Sequence, residues 1–221
     1  KDHIVMAPMY NGCCAICGMR MPISQVQAVR LCKQIQNCPS CARILFEESD
    51  APRWVGEAPS RTEPRKAGIS RFSAESLMVA DLKATTGAEA IAELAKVMEA
   101  ANFISGADRL VETALEREAV LSTAMENGLA FPHVRGVEGG GLTLALGVSA
   151  KGVKFGGPGR ALTRIVFFMV IPTAASAFYL KLLSGLAQVF QKEEAREKLM
   201  GHDSPEKLWK ALIKVTKPLI R

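Results

Sequence analysis

The chain lacks cysteine beyond residue 41 and has few of the aromatic residues that stack on nucleic-acid bases. All six cysteines lie between Cys13 and Cys41, and the 221 residues include only two tryptophans and two tyrosines. With so few tryptophans and tyrosines, no aromatic platform for stacking on single-stranded nucleic acid stands out. Crowded cysteines without a secretion signal favour a metal site in a reducing compartment over disulfides.

Signals for export and membrane insertion are also missing. The first residues show no basic segment followed by an apolar run, so we expect no signal peptide. The longest uncharged apolar stretch, Ile165–Leu180, is interrupted by Pro172. It is also shorter than the roughly 18–20 residues that a membrane helix needs. The sequence therefore predicts a soluble, cytoplasmic protein, and a start at Lys1 rather than Met indicates a fragment or a processed form.

The composition is that of a globular protein with room for one large domain or two small ones. Apolar residues make up 48% of the chain, charged residues 23%, and the formal net charge is +6. This mild positive charge suits acidic partners or phosphate ligands, but it supports binding of nucleic acid only weakly.

Sequence patterns divide the chain into three parts. Residues 1–47 are rich in cysteine, and residues 48–70 mix Pro, Arg, Glu, Ser and Ala without periodicity, which predicts a linker. Residues 71–221 alternate helical and strand patterns, which predicts an α/β domain with a mixed sheet flanked by helices. The elements expected there are helices at 86–101, 108–118, 173–191 and from Ser204 onward, strands at 142–149 and 165–170, and a loop at 122–135.

Two Cys-x-x-Cys pairs dominate the first part. Cys14 and Cys17 form one pair, and Cys38 and Cys41 form the other. Two residues between thiolates let a tight turn aim both sulfurs at one ion, so the four residues predict a structural Zn²⁺ site. A redox pair, two disulfides, or iron on the same ligands are the alternatives. Cys13 is an alternative ligand to Cys14, whereas Cys32 is expected to be a small buried side chain.

Residues 4–46 extend this pattern beyond the cysteines. With the flanking segments 11–22 and 38–46, they resemble the four-cysteine zinc ribbon that follows a long helical hairpin in a family of bacterial coiled-coil proteins. The resemblance implies a structural zinc ribbon that binds protein or nucleic acid, and a coiled coil preceding Lys1 in the complete protein.

In the third part, His133 stands out because a proline restricts the backbone just before it. Pro132 fixes the chain just before His133, and Asn127 precedes a glycine in a tight turn. A neutral imidazole nitrogen can attack phosphorus and hold a phosphoryl group, given positive charge and donors around it. Arg117 is a candidate for that charge, and the hydroxyls of Ser122 and Thr123 are candidate donors. From these residues alone, a histidine of the loop or core is the competing interpretation.

The stretch from Met78 to Ile220 resembles the fructose–mannitol and nitrogen-regulatory branch of the enzyme IIA domains of the sugar phosphotransferase system. The matching segments are Ala114–Glu118, Ser122–Thr123, Asn127–His133, Leu146–Ser149, Gly152–Phe155, Ile165–Phe168 and Leu180–Ala187. The resemblance implies a phosphoryl carrier with His133 as the acceptor, Arg117 facing the phosphate, and Ser122, Thr123 and Asn127 shaping the pocket. It also implies a phosphocarrier protein of the HPr type as the donor.

This chain departs from the family at the start of the long helix, where many members carry a second histidine and this chain has Tyr179. Three functions remain open at this point. The first is a regulatory phosphoryl acceptor with a zinc-ribbon interaction module. The second is a sugar-specific enzyme IIA that passes phosphate to a IIB partner. The third is a binding protein whose ribbon engages protein or nucleic acid and whose second domain has lost turnover.

Overall fold

The computed structural model describes residues 5–47, 68–137, 141–156, 162–173 and 179–217. These residues form two sheets, a small one in the cysteine-rich part and a larger one in the part that begins at residue 68. None of the described helices combines the length and the apolar character that crossing a bilayer requires.

The cysteine-rich part, residues 5–47, folds around a four-stranded sheet and is called the ribbon below. Its strands lie in the order β2-β1-β4-β3, with β1 and β4 parallel and the two outer pairs antiparallel. Four side chains of these strands are buried, those of Ala7, Met9, Cys14 and Leu45, as is Val29 of the helix α1. The elements are β1 (Met6–Tyr10), β2 (Cys13–Cys14), α1 (Ile23–Arg30), β3 (Gln36–Asn37) and β4 (Ile44–Glu47).

The larger sheet has six strands and is mixed, which confirms the predicted α/β class. The order is β5-β9-β10-β7-β6, and β8 also pairs with β10. The β9–β10 pair is antiparallel, whereas β7 and β8 run parallel to β10. Continuous apolar runs make β9 and β10 the buried centre of the sheet. The strands are β5 (Met78–Val79), β6 (Ala124–Met125), β7 (Leu129–Ala130), β8 (His133–Val137), β9 (Thr143–Val153) and β10 (Thr163–Pro172).

Helices flank this sheet, and their ends follow the capping signals in the sequence. Thr86 and Glu89 form a complete capping box at the start of one helix. At the start of another, the Ser204 hydroxyl accepts a hydrogen bond from the amide of Lys207 (3.4 Å). The helices are α2 (Gly87–Ala100), α3 (Ala107–Val120), α4 (Tyr179–Phe190), α5 (Glu193–Glu197) and α6 (Pro205–Thr216).

The histidine segment is more regular than the predicted loop at 122–135. It contains β6, β7 and the first residues of β8. Along β10, β7 and β8 keep one register, since Leu129 lies opposite Ile165 and His133 lies opposite Met169. The two strands are one edge segment interrupted at Pro132, because proline has no amide hydrogen to give to the ladder. His133 is therefore the first residue of a strand and is fixed by the sheet.

Other boundaries differ from expectation in smaller ways. Residues 48–67 of the predicted linker lie outside the described residues, and Gly68–Arg71 form a 3-10 helix whose Ile69 is buried. The strand predicted at 142–149 continues to Val153. Pro172 is the last residue of β10, and it pairs with Val137 after a bulge in the register.

Candidate functional site

The backbone before His133 holds the imidazole in one orientation. The Phe131 ring is buried and stacks on Phe167, with 5.2 Å between ring centroids. The carbonyl oxygen of Phe131 lies 2.9 Å from Nδ1 of His133. A carbonyl can only accept, so Nδ1 carries the proton and donates it. The lone pair of the neutral ring is therefore on Nε2, which has no hydrogen-bond partner among the described residues.

The surroundings of His133 keep the ring neutral. The residue is only 7% exposed, and burial is the main reason why its pKa lies below the usual 6.5. The positive charges of Arg117 and Arg135 lower this pKa further, while the bond to Phe131 and the carboxylate of Glu118 oppose the shift. At neutral pH the site thus offers an uncharged imidazole beside two cations.

Arg117 lies in the last turn of α3, on the side of the histidine. Its Nη1 donates to the carbonyl of Leu121 (2.7 Å), which caps the end of that helix. Among the residues that the structure describes, the other guanidinium nitrogens have no hydrogen-bond partner. Arg117 is therefore fixed through one nitrogen while the rest of its fork stays available for an anion.

Glu118 organises the residues that follow α3. Its carboxylate accepts hydrogen bonds from the hydroxyls of Ser122 and Thr123, each at 2.8 Å, and from the amide of Thr123 at 2.5 Å. The two hydroxyls that the sequence suggested as phosphate donors thus donate hydrogen bonds to Glu118 in this structure. Asn127, in the β6–β7 turn, has a buried Oδ1 without a hydrogen-bond partner in the described part of the chain.

Tyr179 lies beside the imidazole, and Arg135 lies over the Tyr179 ring. The Tyr179 ring, at the start of α4, has its centroid 6.1 Å from that of His133 and is itself buried. The guanidinium carbon of Arg135 lies 4.8 Å from the Tyr179 ring centroid, in cation–π geometry. Sequence reasoning found Tyr179 but missed Arg135 and gave Glu118 no role. Alternation along a strand could have found Arg135, because residues i and i+2 share a face.

The four predicted metal ligands come together in the ribbon. The Sγ atoms of Cys14, Cys17, Cys38 and Cys41 all lie within 4.8 Å of one another. The Cys14–Cys41 and Cys17–Cys38 sulfur pairs are 3.7 and 3.4 Å apart, and none of the four forms a disulfide. Sulfurs about 2.3 Å from a central zinc would be about 3.8 Å apart, so the cluster fits one tetrahedral ion.

The two Cys-x-x-Cys turns, called knuckles below, repeat the same hydrogen bonds. In the first knuckle the amide of Gly18 donates to the carbonyl of Cys14 (2.8 Å), and in the second the amide of Ala42 donates to that of Cys38 (2.9 Å). Gly18 and Ala42 both have positive φ, of 75° and 60°. Matched turns aim two sulfurs each at a common point, which is what a four-cysteine centre requires.

The thiols do not share the same protonation behaviour. Contacts with Cys17 and then Cys38 lower the pKa of Cys14 to about 7. Contacts with Cys14 and the other thiols lower the pKa of Cys41, while contact with Cys14 raises the pKa of Cys17 and of Cys38. Four thiolates at this spacing therefore repel each other unless a cation neutralises them.

The two remaining cysteines lie outside the cluster. Cys13 is half-buried and stays a sequence alternative only, because the cluster uses Cys14. The prediction of a buried Cys32 is wrong, since the residue is exposed, with φ of 48° and its thiol directed to the carbonyl of Val29 (3.3 Å). A turn after α1, rather than the core, sets its position.

Comparison with known proteins gives the same picture for the larger domain. Residues 71–215 match the family model described as phosphoenolpyruvate-dependent sugar phosphotransferase system, EIIA 2. The phosphotransferase fructose-specific EIIA component of Haloferax volcanii is 27% identical over 115 residues, which are 52% of this chain and 75% of that protein.

Solved structures show the same fold. The nitrogen regulatory protein IIA-Ntr from Neisseria meningitidis is 26% identical, with a TM-score of 0.60 over 65% of this chain and 98% of that one. Enzyme IIA-Mtl from Escherichia coli, solved in complex with phosphorylated enzyme IIB-Mtl, is 18% identical with a TM-score of 0.50, over 63% and 95%. Since the family model spans well over half of the chain and the fold agrees, the chain belongs to the EIIA 2 family of the phosphotransferase system, a family of phosphoryl carriers.

Proposed function

We propose that the protein carries a phosphoryl group on Nε2 of His133 and takes it from a phosphocarrier protein of the HPr type. The observation that supports this most directly is the 2.9 Å bond between Nδ1 and the Phe131 carbonyl, because it puts the lone pair on Nε2. The lone pair attacks phosphorus and forms a new N–P bond. The bond between phosphorus and the donor's ring nitrogen breaks, and that nitrogen keeps the electron pair.

Positive charge beside the ring makes this transfer favourable. The phosphoryl group spreads negative charge over three oxygens in the transition state. Arg117 presents free guanidinium nitrogens, and Arg135 is close enough to lower the pKa of His133. Both cations stabilise the charge that arrives with the phosphate.

Access to Nε2 is the step that the protein must control, because His133 is almost completely buried. Tyr179 is the aromatic neighbour of the imidazole, and the guanidinium of Arg135 lies over the Tyr179 ring. We infer that docking of the donor displaces the Tyr179–Arg135 pair and opens the line of attack. Tyr179, at the start of α4, stands where the family resemblance leads us to expect a second histidine.

Mass measurement after incubation with a phosphorylated HPr-type protein tests the proposal. We expect a gain of one phosphoryl group that is lost in acid, as a phosphoramidate is, and that disappears in His133→Ala. His202→Ala is the matched control, since His202 is engaged with the Lys198 carbonyl (2.9 Å) and lies in the α5–α6 loop. A gain that survives in His133→Ala would refute the assignment.

We propose that this phosphoryl group is used as a regulatory signal in the cytoplasm. The similarity to a nitrogen regulatory IIA supports this choice, as does Tyr179 in place of a second histidine. The alternative is a sugar-specific enzyme IIA that passes phosphate to a IIB domain, as the E. coli complex suggests for its own chain. Transfer from phosphorylated protein to purified IIB domains separates the two, and efficient transfer to one of them would favour the sugar-specific function.

We also propose that the four-cysteine cluster binds Zn²⁺ structurally and that the ribbon engages another macromolecule. All four positions of a tetrahedral ion are filled by protein, so the metal has no open site for chemistry. We expect one zinc per chain by elemental analysis, with loss in Cys38→Ser. Cys13→Ser and Cys32→Ser are matched controls that should keep the metal. Zinc retention in Cys38→Ser would contradict the ligand set.

We propose that the ribbon binds another protein, and binding to nucleic acid is the alternative. A binding titration across salt concentrations tests the nucleic-acid version, since contacts to phosphates give a steep salt dependence. A flat dependence or no binding would remove that version.

A further inference from the structure

The second knuckle of the ribbon is in direct contact with the larger domain. The hydroxyl of Ser40 donates to the carbonyl of Arg71 (3.3 Å), and the amide of Leu142 donates to the carbonyl of Pro39 (3.3 Å). Ser40 and Leu142 are both almost fully buried. The contact therefore joins the turn between two metal ligands to the Arg71 carbonyl by one hydrogen bond and to Leu142, just before β9, by another.

Gly141 shows how close this approach is. A Cβ atom placed on Gly141 would lie 2.4 Å from the carbonyl oxygen of Ser40, a distance that real Cβ atoms do not reach. The Gly141 carbonyl accepts the hydroxyl of Thr143 (3.1 Å), so the contact continues into the first residue of β9. The absence of a side chain at Gly141 is what lets the knuckle dock.

The docked end of β9 belongs to the same part of the sheet as the histidine. Leu144 of β9 lies opposite Met169 of β10, and Met169 lies opposite His133 of β8. Two strand spacings put Leu144 about 10 Å from His133. The knuckle thus touches the chain two residues before the strand position that is in line with His133.

We propose that the second knuckle is a metal-dependent clamp on this end of the sheet, so that metal binding in the ribbon and order at the start of β9 stabilise each other. The proposal rests on the proposed zinc site but on no particular phosphoryl donor. Zinc fixes the geometry of the Cys38–Cys41 turn, and only the fixed turn presents Pro39 and Ser40 to β9. Coupling between two sites is reciprocal, so a change at β9 must alter metal affinity.

Gly141→Ala tests this from the side of the larger domain, because the change touches no cysteine. We expect zinc affinity, measured by competition with a chromogenic chelator, to fall about fivefold to thirtyfold, the range expected for two lost hydrogen bonds. Gly201→Ala is the control, since an added Cβ there meets nothing within 4 Å. Gly201 has positive φ (78°), so alanine strains its backbone, and this variant shows whether destabilisation far from the knuckle changes zinc affinity. Ser40→Ala removes one bond without a clash and should lower affinity severalfold, with Ser24→Ala on the exposed face of α1 as its control.

Hydrogen exchange gives a second measurement that is independent of phosphoryl transfer. In the wild-type chain, removal of zinc by a chelator should speed exchange of the Leu142 amide by about tenfold. Unchanged zinc affinity in both Gly141→Ala and Ser40→Ala, or unchanged exchange at Leu142 on chelation, would overturn the clamp while leaving the zinc site in place. A wild-type chain that binds no zinc would instead refute the zinc site, and the clamp with it.

Discussion

Glu118 gives the sharpest test of how the site is built. Its carboxylate accepts three hydrogen bonds, from the Ser122 hydroxyl and from the amide and hydroxyl of Thr123. Glu118→Ala leaves these three donors without their acceptor. A hydrogen bond to a charged group contributes about 1.5–3 kcal/mol when it is buried. Glu118 is only half-buried and water can replace part of the loss, so we expect about 2–4 kcal/mol of destabilisation in total.

Denaturant unfolding measures this loss, and Glu116→Ala on the exposed face of α3 is the matched control. For Glu116 no hydrogen bond or ion pair is present among the described residues, so its removal should change the free energy of unfolding by less than about 0.5 kcal/mol. Glu118→Gln keeps one amide oxygen as an acceptor, so its free energy of unfolding should lie between those of Glu118→Ala and Glu116→Ala. Equal unfolding free energies for Glu118→Ala and Glu116→Ala would show that the carboxylate does not hold the segment after α3.

Three further predictions concern the imidazole and the ribbon. NMR titration should give His133 a pKa below 6.5, and a normal pKa would contradict the burial. Because this pKa is lower in the folded than in the unfolded protein, the stability contributed by the neutral ring is complete above pH 6.5 and declines as the pH falls below 6.5. Tyr179→Ala should raise the pKa of His133 and speed modification of its ring by diethyl pyrocarbonate, whereas Tyr179→Phe should do neither. Equal reactivity of the wild-type chain and the two variants would show that the Tyr179 ring does not shield His133. Ala42→Gly should raise the unfolding free energy by about 0.5–1 kcal/mol because Ala42 has φ of 60°, whereas Ala28→Gly within α1 should lower it by about 1 kcal/mol; equal signs would refute the argument from φ.

Local signals in the sequence predicted much of the fold. The Thr86–Glu89 capping box and the Ser204 cap act within one helical turn, so the sequence contains all the residues they need. The apolar run at 165–170 is buried in the centre of the sheet, as a strand covered on both faces must be. The spacing of the four cysteines likewise predicted their cluster, because each knuckle is a local turn.

What the sequence did not predict depends on contacts between distant residues. Arg135 and Tyr179 lie on different elements and meet only when α4 is placed beside β8. The role of Glu118 required knowing that the chain turns back over the end of α3. The docking of Ser40 next to Gly141 joins the ribbon to the larger sheet, and neither segment carries a pattern that indicates the other. Periodicity and capping signals contain no information on such pairs.

The surroundings of His133 act differently on the free and the phosphorylated ring. In the free protein, burial and the charges of Arg117 and Arg135 disfavour a second proton, so the ring stays a neutral nucleophile. In the phosphorylated state that we propose, the ring carries a phosphoryl group with negative charge, and the same two cations stabilise it. The Glu118 carboxylate acts in the opposite direction and raises the pKa of the ring, but its effect is smaller than that of burial and the two cations. Its oxygens accept hydrogen bonds from Ser122 and Thr123 on the segment after α3. The arrangement therefore favours a ring that exchanges a phosphoryl group over one that exchanges a proton.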